Sequence, residues 1–246
     1  MGRLLLFITL LCCTSFSFGQ QSAVDGPKLI YDNQFYAGGQ LNTAGWGIQG
    51  YHGKYDGYYK VKTKGIEIVK IKHPKEFKLI GGGRENTRRY AYGKLNSFQS
   101  IRLLLGRKKL ISDKLRQGAV TIGCSWSIGP SFGFLVPIYV EVIPDTGTTT
   151  VVERYDPDIH PLDRIRGRAN FLNGIAELKP VIGGVVKASL LFEYSGVNDG
   201  IQQLEVGISA DVFSGEVPIM VEEANNQMIF PAIFLSYSLG KKYVRR

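Results

Sequence analysis

The stretch that decides the fold closes the chain: residues 228–246, MIFPAIFLSYSLGKKYVRR. Counting by twos from Ile229 places Ile229, Pro231, Ile233, Leu235, Tyr237 and Leu239 on one parity. Phe230, Ala232, Phe234, Ser236, Ser238 and Gly240 fall on the other. Successive side chains of a strand point to opposite faces, so one face is wholly apolar and bulky while the other is smaller and partly polar. A strand of this kind at the end of a chain is what a barrel needs to pair its last edge with its first.

The same period recurs upstream. Leu204, Val206, Ile208, Ala210 and Val212 alternate with Gln203, Glu205, Gly207, Ser209 and Asp211. Val186, Ala188, Leu190, Phe192 and Tyr194 oppose Lys187, Ser189 and Glu193. Val120, Ile122, Cys124, Trp126 and Ile128 oppose Thr121, Gly123, Ser125, Ser127 and Gly129, and the apolar parity continues from Phe132 and Phe134 through Val136, Ile138, Val140 and Val142. Helical periodicity is scarce. A soluble sandwich or closed barrel buries such an apolar face inside, whereas an outer-membrane barrel turns it toward lipid.

Three features favour the membrane. The polar rows are rich in Gly and Ser beside a few opposite charges, which suits a narrow lumen in which Lys187 pairs with Glu193, Glu205 or Asp211. Apolar rows end in aromatics (Tyr194, Phe213, Tyr237, Trp126, Tyr139), residues that sit well at headgroup depth. The sealing strand is nearly the last element of the chain.

The front end, MGRLLLFITLLCCTSFSFGQQ, has a basic residue, Arg3, an apolar run from Leu4 to Cys13, and Ser17-Phe18-Gly19 as a small-x-small cleavage site. It reads as a secretory signal over 1–19, too short in its apolar run to span a bilayer as a helix. Leu11 before Cys12 is too large for a lipidation site. Cleavage removes Cys12 and Cys13 and leaves Cys124, so the mature chain has no partner for an intrachain disulfide. Of the 30 Lys and Arg, loss of Arg3 leaves 29 against 21 Asp and Glu, a net charge of about +8. A basic exported chain meets lipid headgroups, lipopolysaccharide phosphates or acidic protein surfaces rather than nucleic acid. No later stretch is long and apolar enough for a transmembrane helix.

Gln20 after the cleavage site, GGQLNTAGWGIQGYHGKY (38–55), IEIVKIKHPKEFK (66–78), YAYGKLNSF (90–98) and FLSYSLGKK (234–242) together resemble outer-membrane β-barrel proteins of Bacteroidota. Those are small barrels, mostly without an assigned activity. The resemblance implies the envelope and the fold and brings no catalytic motif with it.

Strands are read near 35–53, 58–72, 88–106, 118–142, 170–180, 185–195, 201–213 and 227–239. That is an all-β, antiparallel transmembrane barrel of about eight strands, with both termini periplasmic. If Asn42-Thr43-Ala44-Gly45 and Gly129-Pro130-Ser131 are hairpin turns, the count is ten. Tight turns are expected at 54–57 and 197–200. The long connections 73–87 and 143–169 fall on the periplasmic side in the eight-strand count and on opposite sides in the ten-strand count. The organisation is then a signal (1–19), an N-terminal periplasmic segment (20–34), the barrel (35–240) and an exposed basic tail (241–246).

Candidate chemistry is thin. Asp156, Asp158, His160 and Asp163 in YDPDIHPLDR are oxygen and nitrogen donors close in sequence. They read more simply as a polar loop broken by Pro157 and Pro161, and no metal site is assigned. A rim hydrolase needs a serine, a histidine and an orienting group. Three histidines exist, at 52, 73 and 160, but no GxSxG context does, so no catalytic residue is assigned. Gly81-Gly82-Gly83-Arg84 lacks the following Lys-Ser/Thr of a phosphate loop, and no cofactor is implied.

The basic segments carry more. Lys70, Lys72, Lys75, Lys78, Arg84, Arg88 and Arg89 form one; Arg107, Lys108, Lys109, Lys114 and Arg116 a second; Arg154, Arg164, Arg166 and Arg168 a third. Arginine pairs bidentately with carboxylate or phosphate. Arg84, Arg88, Arg89, Arg154, Arg164, Arg166 and Arg168 are therefore the candidate partner-binding residues. The expected protein is a non-enzymatic outer-membrane barrel that docks lipopolysaccharide or an envelope protein through basic connections. A small-solute pore and a rim-sited lipid enzyme are the alternatives.

Overall fold

A computed structural model describes residues 31–57, 59–80, 89–111, 120–143, 150–160, 164–194, 200–221 and 224–244. In chain order the strands are β1 (Asn33–Asn42), β2 (Gly45–Tyr55), β3 (Lys60–Ile71), β4 (Lys78–Ile80), β5 (Arg89–Ala91), β6 (Asn96–Leu110), β7 (Val120–Pro137), β8 (Tyr139–Val142), β9 (Val151–Arg154), β10 (Ile165–Arg168), β11 (Lys179–Tyr194), β12 (Gly200–Phe213) and β13 (Ile229–Tyr243), with a 3₁₀ helix at Phe171–Glu177. Eight of them close a barrel in the order β1-β13-β12-β11-β7-β6-β3-β2. All of these pairings are antiparallel, and β13 seals the cylinder against β1, from Asn33 opposite Tyr243 to Asn42 opposite Phe234. Among the described residues, no helix is long and apolar enough to cross a membrane.

The stripes read from the sequence are the two faces of this wall. Ile208 and Ile233 lie opposite each other across β12 and β13 and are 62% and 60% exposed. Trp46, Ile48, Ile66, Leu105, Ile128, Val186 and Leu190 are exposed on the same outer surface. The inward parity carries Gln, Ser, Glu, Asp, Lys and Arg, all buried. This is the reverse of a water-soluble barrel and the arrangement of one whose outer solvent is lipid. Glycine makes the narrow lumen possible. A Cβ on Gly65 would lie 2.3 Å from the Tyr51 ring, which occupies the lumen there.

The strand count is eight, but its composition differs from the sequence reading in two places that offset each other. Residues 35–53 are not one long strand: they form the hairpin of β1 and β2, turned at Thr43-Ala44 with Gly45 at φ 156°, a conformation that disfavours other residues. Residues 170–180 are not a separate strand. Phe171–Glu177 is helical, with Asn170 accepting the Leu172 amide as its cap, and the rest joins β11. Gly129-Pro130-Ser131 is not a turn: β7 runs straight through it, with Pro130 opposite Gly184. The turn expected at 54–57 follows the end of β2, where the Asp56 amide donates to the Lys60 carbonyl at 2.8 Å. The turn expected at 197–200 lies mostly outside the described residues.

The extra hairpin moves the long connections. Asn33 and Tyr243 share one end of the barrel, and the connections after β3, β7 and β12 all leave from the other. They build a cap there, instead of lying on the end that carries the termini. β10-β8-β9 form a three-stranded sheet and β4-β5 a hairpin. The apolar parity of 132–142 stays outward to Phe132, but Val136, Ile138, Val140 and Val142 are buried, the last three in the small-sheet core with Tyr155 and Ile165. A second core plugs the barrel mouth: Phe98, Phe213 and Phe230 pack with ring centroids 5.0–5.9 Å apart, beneath Val217, Ile219 and Met220. Phe213 is thus a core residue and not a headgroup-level aromatic, and Tyr139 sits in the cap; Trp126, Tyr194 and Tyr237 are exposed on the wall.

The C-terminal residues Lys241 and Lys242 are not an exposed tail, since β13 continues to Tyr243. Lys242 has the inward parity and reaches the Glu193 carboxylate at 2.7 Å. The residues expected to be a signal, 1–19, lie outside the described part of the chain.

Candidate functional site: a sealed lumen and a basic cap

Two features of this molecule have chemistry to offer, the charged lumen and the cap above it. In the lumen, Glu67 on β3 is wholly buried. It takes an ion pair from Lys187 on β11, a second from Arg102 Nη1 at 3.0 Å and a hydrogen bond from the Tyr51 hydroxyl at 2.6 Å. Arg102 on β6 bridges onward to Asp211 on β12, Nε donating to Oδ1 at 2.9 Å with a second contact from Nη2 to Oδ2. Ser131 donates to the same Oδ1 at 3.2 Å.

Nearer the termini, Glu193 is shared by Lys108 at 3.1 Å and Lys242 at 2.7 Å, and Lys108 also donates to Gln203 at 2.6 Å. Glu205 is held by Ser125 at 3.1 Å, by Ser189 and by Gln203 at 3.3 Å. Glu67, Glu193 and Asp211 thereby meet Lys108, Lys187, Lys242 and Arg102, while Glu205 is held by hydroxyl and amide donors. In a low-dielectric interior each of these charges would be costly alone. Together they cross-link β3, β6, β7, β11, β12 and β13 and fill the bore, as side chains do in barrels of this strand number.

Parity alone placed Lys187 in the lumen, but its partner is Glu67 and not any of the three acids proposed from its own neighbourhood. Lys108, grouped in the sequence with Arg107, Lys109, Lys114 and Arg116, is an inward lysine between two outward basic residues. The central pair, Glu67 and Arg102, was missed. The signal was present: in IEIVKI and SIRLLLG each is a lone charge on the parity opposite its apolar neighbours.

The cap holds most of the predicted arginines. Arg154 on β9 reaches Glu177 at 3.3 Å, and Tyr139 donates to the same carboxylate at 2.6 Å, which raises the Tyr139 pKa. Arg166 on β10 donates to Thr150 Oγ1 at 3.1 Å. Arg164 precedes β10, and its carbonyl accepts the Ile143 amide at 3.1 Å. Arg168 stacks over the Phe171 ring at 5.9 Å, and burial holds its pKa below the usual arginine value. Arg89 belongs to β5, which abuts β10. Arg84 and Arg88 lie outside the described residues. Lys94 pairs with Glu76 inside the cap, and burial lowers the Lys94 pKa against the pull of that carboxylate.

The histidines are occupied locally. His52 bonds Tyr243 at 3.0 Å. His73 accepts the Lys75 amide at 3.2 Å and faces the Asn225 carbonyl at 3.3 Å. His160 accepts the Asp156 amide at 3.1 Å and meets Glu153 at 3.0 Å. Among the described residues no group of three or more His, Cys, Asp or Glu is arranged to hold a metal ion; Asp163 lies outside them. A shallow groove of about 510 Å³ on the outer wall, bordered by Val186, Ala188, Ile208, Ala210, Pro231 and Ile233, offers contact surface and no reactive group.

No protein-family model and no curated protein matches the chain. Among solved structures it is similar to Neisserial surface protein A, with 10% identity over 87% of this chain and 96% of that one at a TM-score of 0.41. It is also similar to Ail, the attachment invasion locus protein of Yersinia pestis, with 4% identity over 87% and 100% at a TM-score of 0.42. Ail solved in complex with the heparin analogue sucrose octasulfate gives 5% identity over 87% and 100% at 0.37.

Proposed function

We propose that this chain is an integral outer-membrane β-barrel without enzymatic activity, a structural or accessory component whose basic cap docks lipopolysaccharide or an acidic envelope protein. The observation that carries the reading is the pairing of a sealed bore with an elaborated basic end. Lumen ion pairs and the Phe98–Phe213–Phe230 plug leave little for a pore to conduct through. The arginines Arg154 and Arg166 are exposed at the other end from the chain termini. With both termini periplasmic, as for single-chain outer-membrane barrels, the cap faces outward, where phosphate-rich glycolipid lies.

The test is purification from native outer membrane in mild detergent, wild type beside the Arg154→Glu/Arg166→Glu variant. Wild type should retain lipopolysaccharide or one envelope protein, and lose it as salt rises. The variant should keep its heat-modifiable mobility and lose the partner. In planar bilayers the pure protein should give no steady conductance. A stable channel, or equal retention by both forms, refutes the reading.

A further inference from the structure

We propose that the outer face of β2, β3 and β6, at the end carrying the chain termini, is a docking surface for the phosphate headgroup of an anionic glycerophospholipid. The proposal rests on the membrane reading above and concerns a different surface from the cap. Six cations converge there from alternate outward positions: Lys54 on β2, Lys60, Lys62 and Lys64 on β3, and Arg107 and Lys109 on β6, all exposed. The register sets them side by side, with Lys54 opposite Lys62, Lys62 opposite Arg107, and Lys60 opposite Lys109. Like charges directly across a sheet repel. Among the described residues the carboxylates at this edge are Asp56, 2.9 Å from Lys62, whose pKa is lowered by the Lys62 hydrogen bond with Arg107 and Lys60 adding, and Asp32, exposed just before β1. Two carboxylates against six cations leave the face calling for an external anion.

The surroundings say which anion. The cationic rows run directly into outward apolar residues, Ile66 after Lys64 and Leu105 and Leu103 before Arg107. A lipid fits that sequence of surfaces, headgroup on the cations and chains on the apolar rows. An acidic protein would have to cover the apolar rows as well. The charge is also concentrated here: elsewhere this end of the barrel exposes Val120, Ile122, Tyr194, Leu239 and Tyr243, with Lys241 as an outward cation between the last two. Outward charge interrupts the wall on β3, where Lys64 and Lys70 flank Ile66 and Ile68. From Lys64 to Lys70 the strand rises about 20 Å, or about 16 Å along the normal at a tilt of about 40°. Lysine stems reaching outward from both ends extend that to the thickness a bilayer requires, which places the Lys62, Lys64 and Arg107 head groups at phosphate depth. The surface lies at the end opposite the cap, in the leaflet of glycerophospholipid.

The register supplies a probe. Trp126 lies opposite Arg107 and is exposed on the wall. With Trp46→Phe it becomes the single tryptophan of the chain. The protein is refolded into phosphatidylcholine vesicles containing brominated phosphatidylglycerol or brominated phosphatidylcholine at equal mole fraction, and Trp126 quenching is compared. Phosphatidylglycerol should be preferred about fivefold, the factor that one cation near an anionic surface supplies. Lys62→Gln/Lys64→Gln/Arg107→Gln should abolish the preference, and Lys62→Arg/Lys64→Arg should keep it. No preference in wild type, or a preference unchanged in the triple variant, overturns the proposal and leaves an acidic protein as the partner of this face. Displacement of brominated phosphatidylglycerol by lipopolysaccharide at lower mole fraction than by unlabelled phosphatidylglycerol overturns the choice of lipid. Quenching by neither brominated lipid overturns the membrane reading itself.

Discussion

Replacing Glu67 by glutamine removes one charge from the centre of the lumen without changing its volume. Arg102 keeps its two contacts to Asp211, so the cation left without its carboxylate is Lys187. Removing one member of a buried ion pair costs about 3–5 kcal/mol, because the partner stays buried and unpaired. The Phe234 ring, 4.2 Å from the Lys187 ammonium, is there in both forms and cancels in the difference. The expected loss is therefore the whole of that, about 3–5 kcal/mol. Glu67→Gln/Lys187→Met should come back to within about 1 kcal/mol of wild type, since the orphaned charge is gone. The assay is reversible urea unfolding of protein refolded in vesicles, followed by tryptophan fluorescence, with an unchanged denaturant slope as the check on two-state behaviour. A loss below about 1 kcal/mol in the single variant, or no recovery in the double, would show that Glu67 does not hold the network.

Three further outcomes follow from other parts of the molecule. Ile208→Arg should cost about 2–4 kcal/mol in the same unfolding assay if the residue faces lipid at the midplane, and Ser209→Ala, on the buried parity, less than about 1 kcal/mol; equal effects would contradict the two-faced wall. The Asp56 carboxyl should titrate below the ordinary aspartate range by NMR and move up in Lys62→Gln; its folded value is depressed, so its stabilisation is present above the ordinary range and is lost as pH falls through the lowered value. Glu76→Gln should leave Lys94 buried without its carboxylate, opening the cap to protease while the barrel keeps its heat-modifiable mobility.

The wall was legible because its signal is local and periodic. Val206, Ile208 and Val212 read as one face from adjacent residues alone, and lipid contact requires nothing more of them. Strand ends were harder, since Thr43-Ala44 is a turn only by virtue of the backbone at Gly45, and a run such as 35–53 keeps its parity through it. The hairpin turn at 42–45, held only in the ten-strand alternative, is real, and leaving it out of the eight-strand count placed the long connections at the wrong end. The lumen was half legible: inward parity named Lys187 and Asp211, but partners are chosen across the bore, by shear and register that no local window contains. Lys187 therefore meets Glu67, far away in sequence, and not Glu193 on its own strand. In the cap, Val136 to Val142 kept an apolar period whose meaning changed from lipid contact to protein core, and the change depends on segments that fold over it from elsewhere in the chain. Of the third basic segment, Arg164, Arg166 and Arg168 share one short strand and its approach, while Arg154 lies on β9.

The central claim is that the outer apolar face meets lipid. A nitroxide scan along β12, one cysteine at a time from Leu204 to Val212 in a Cys124→Ser background, tests it most directly in vesicles. Labels at Leu204, Val206, Ile208, Ala210 and Val212 should be accessible to oxygen and shielded from a water-soluble nickel chelate, with the alternate positions shielded from both, a period of two along the strand. Nickel access at Val206, Ile208 and Ala210 equal to that of a water-exposed loop would contradict the account.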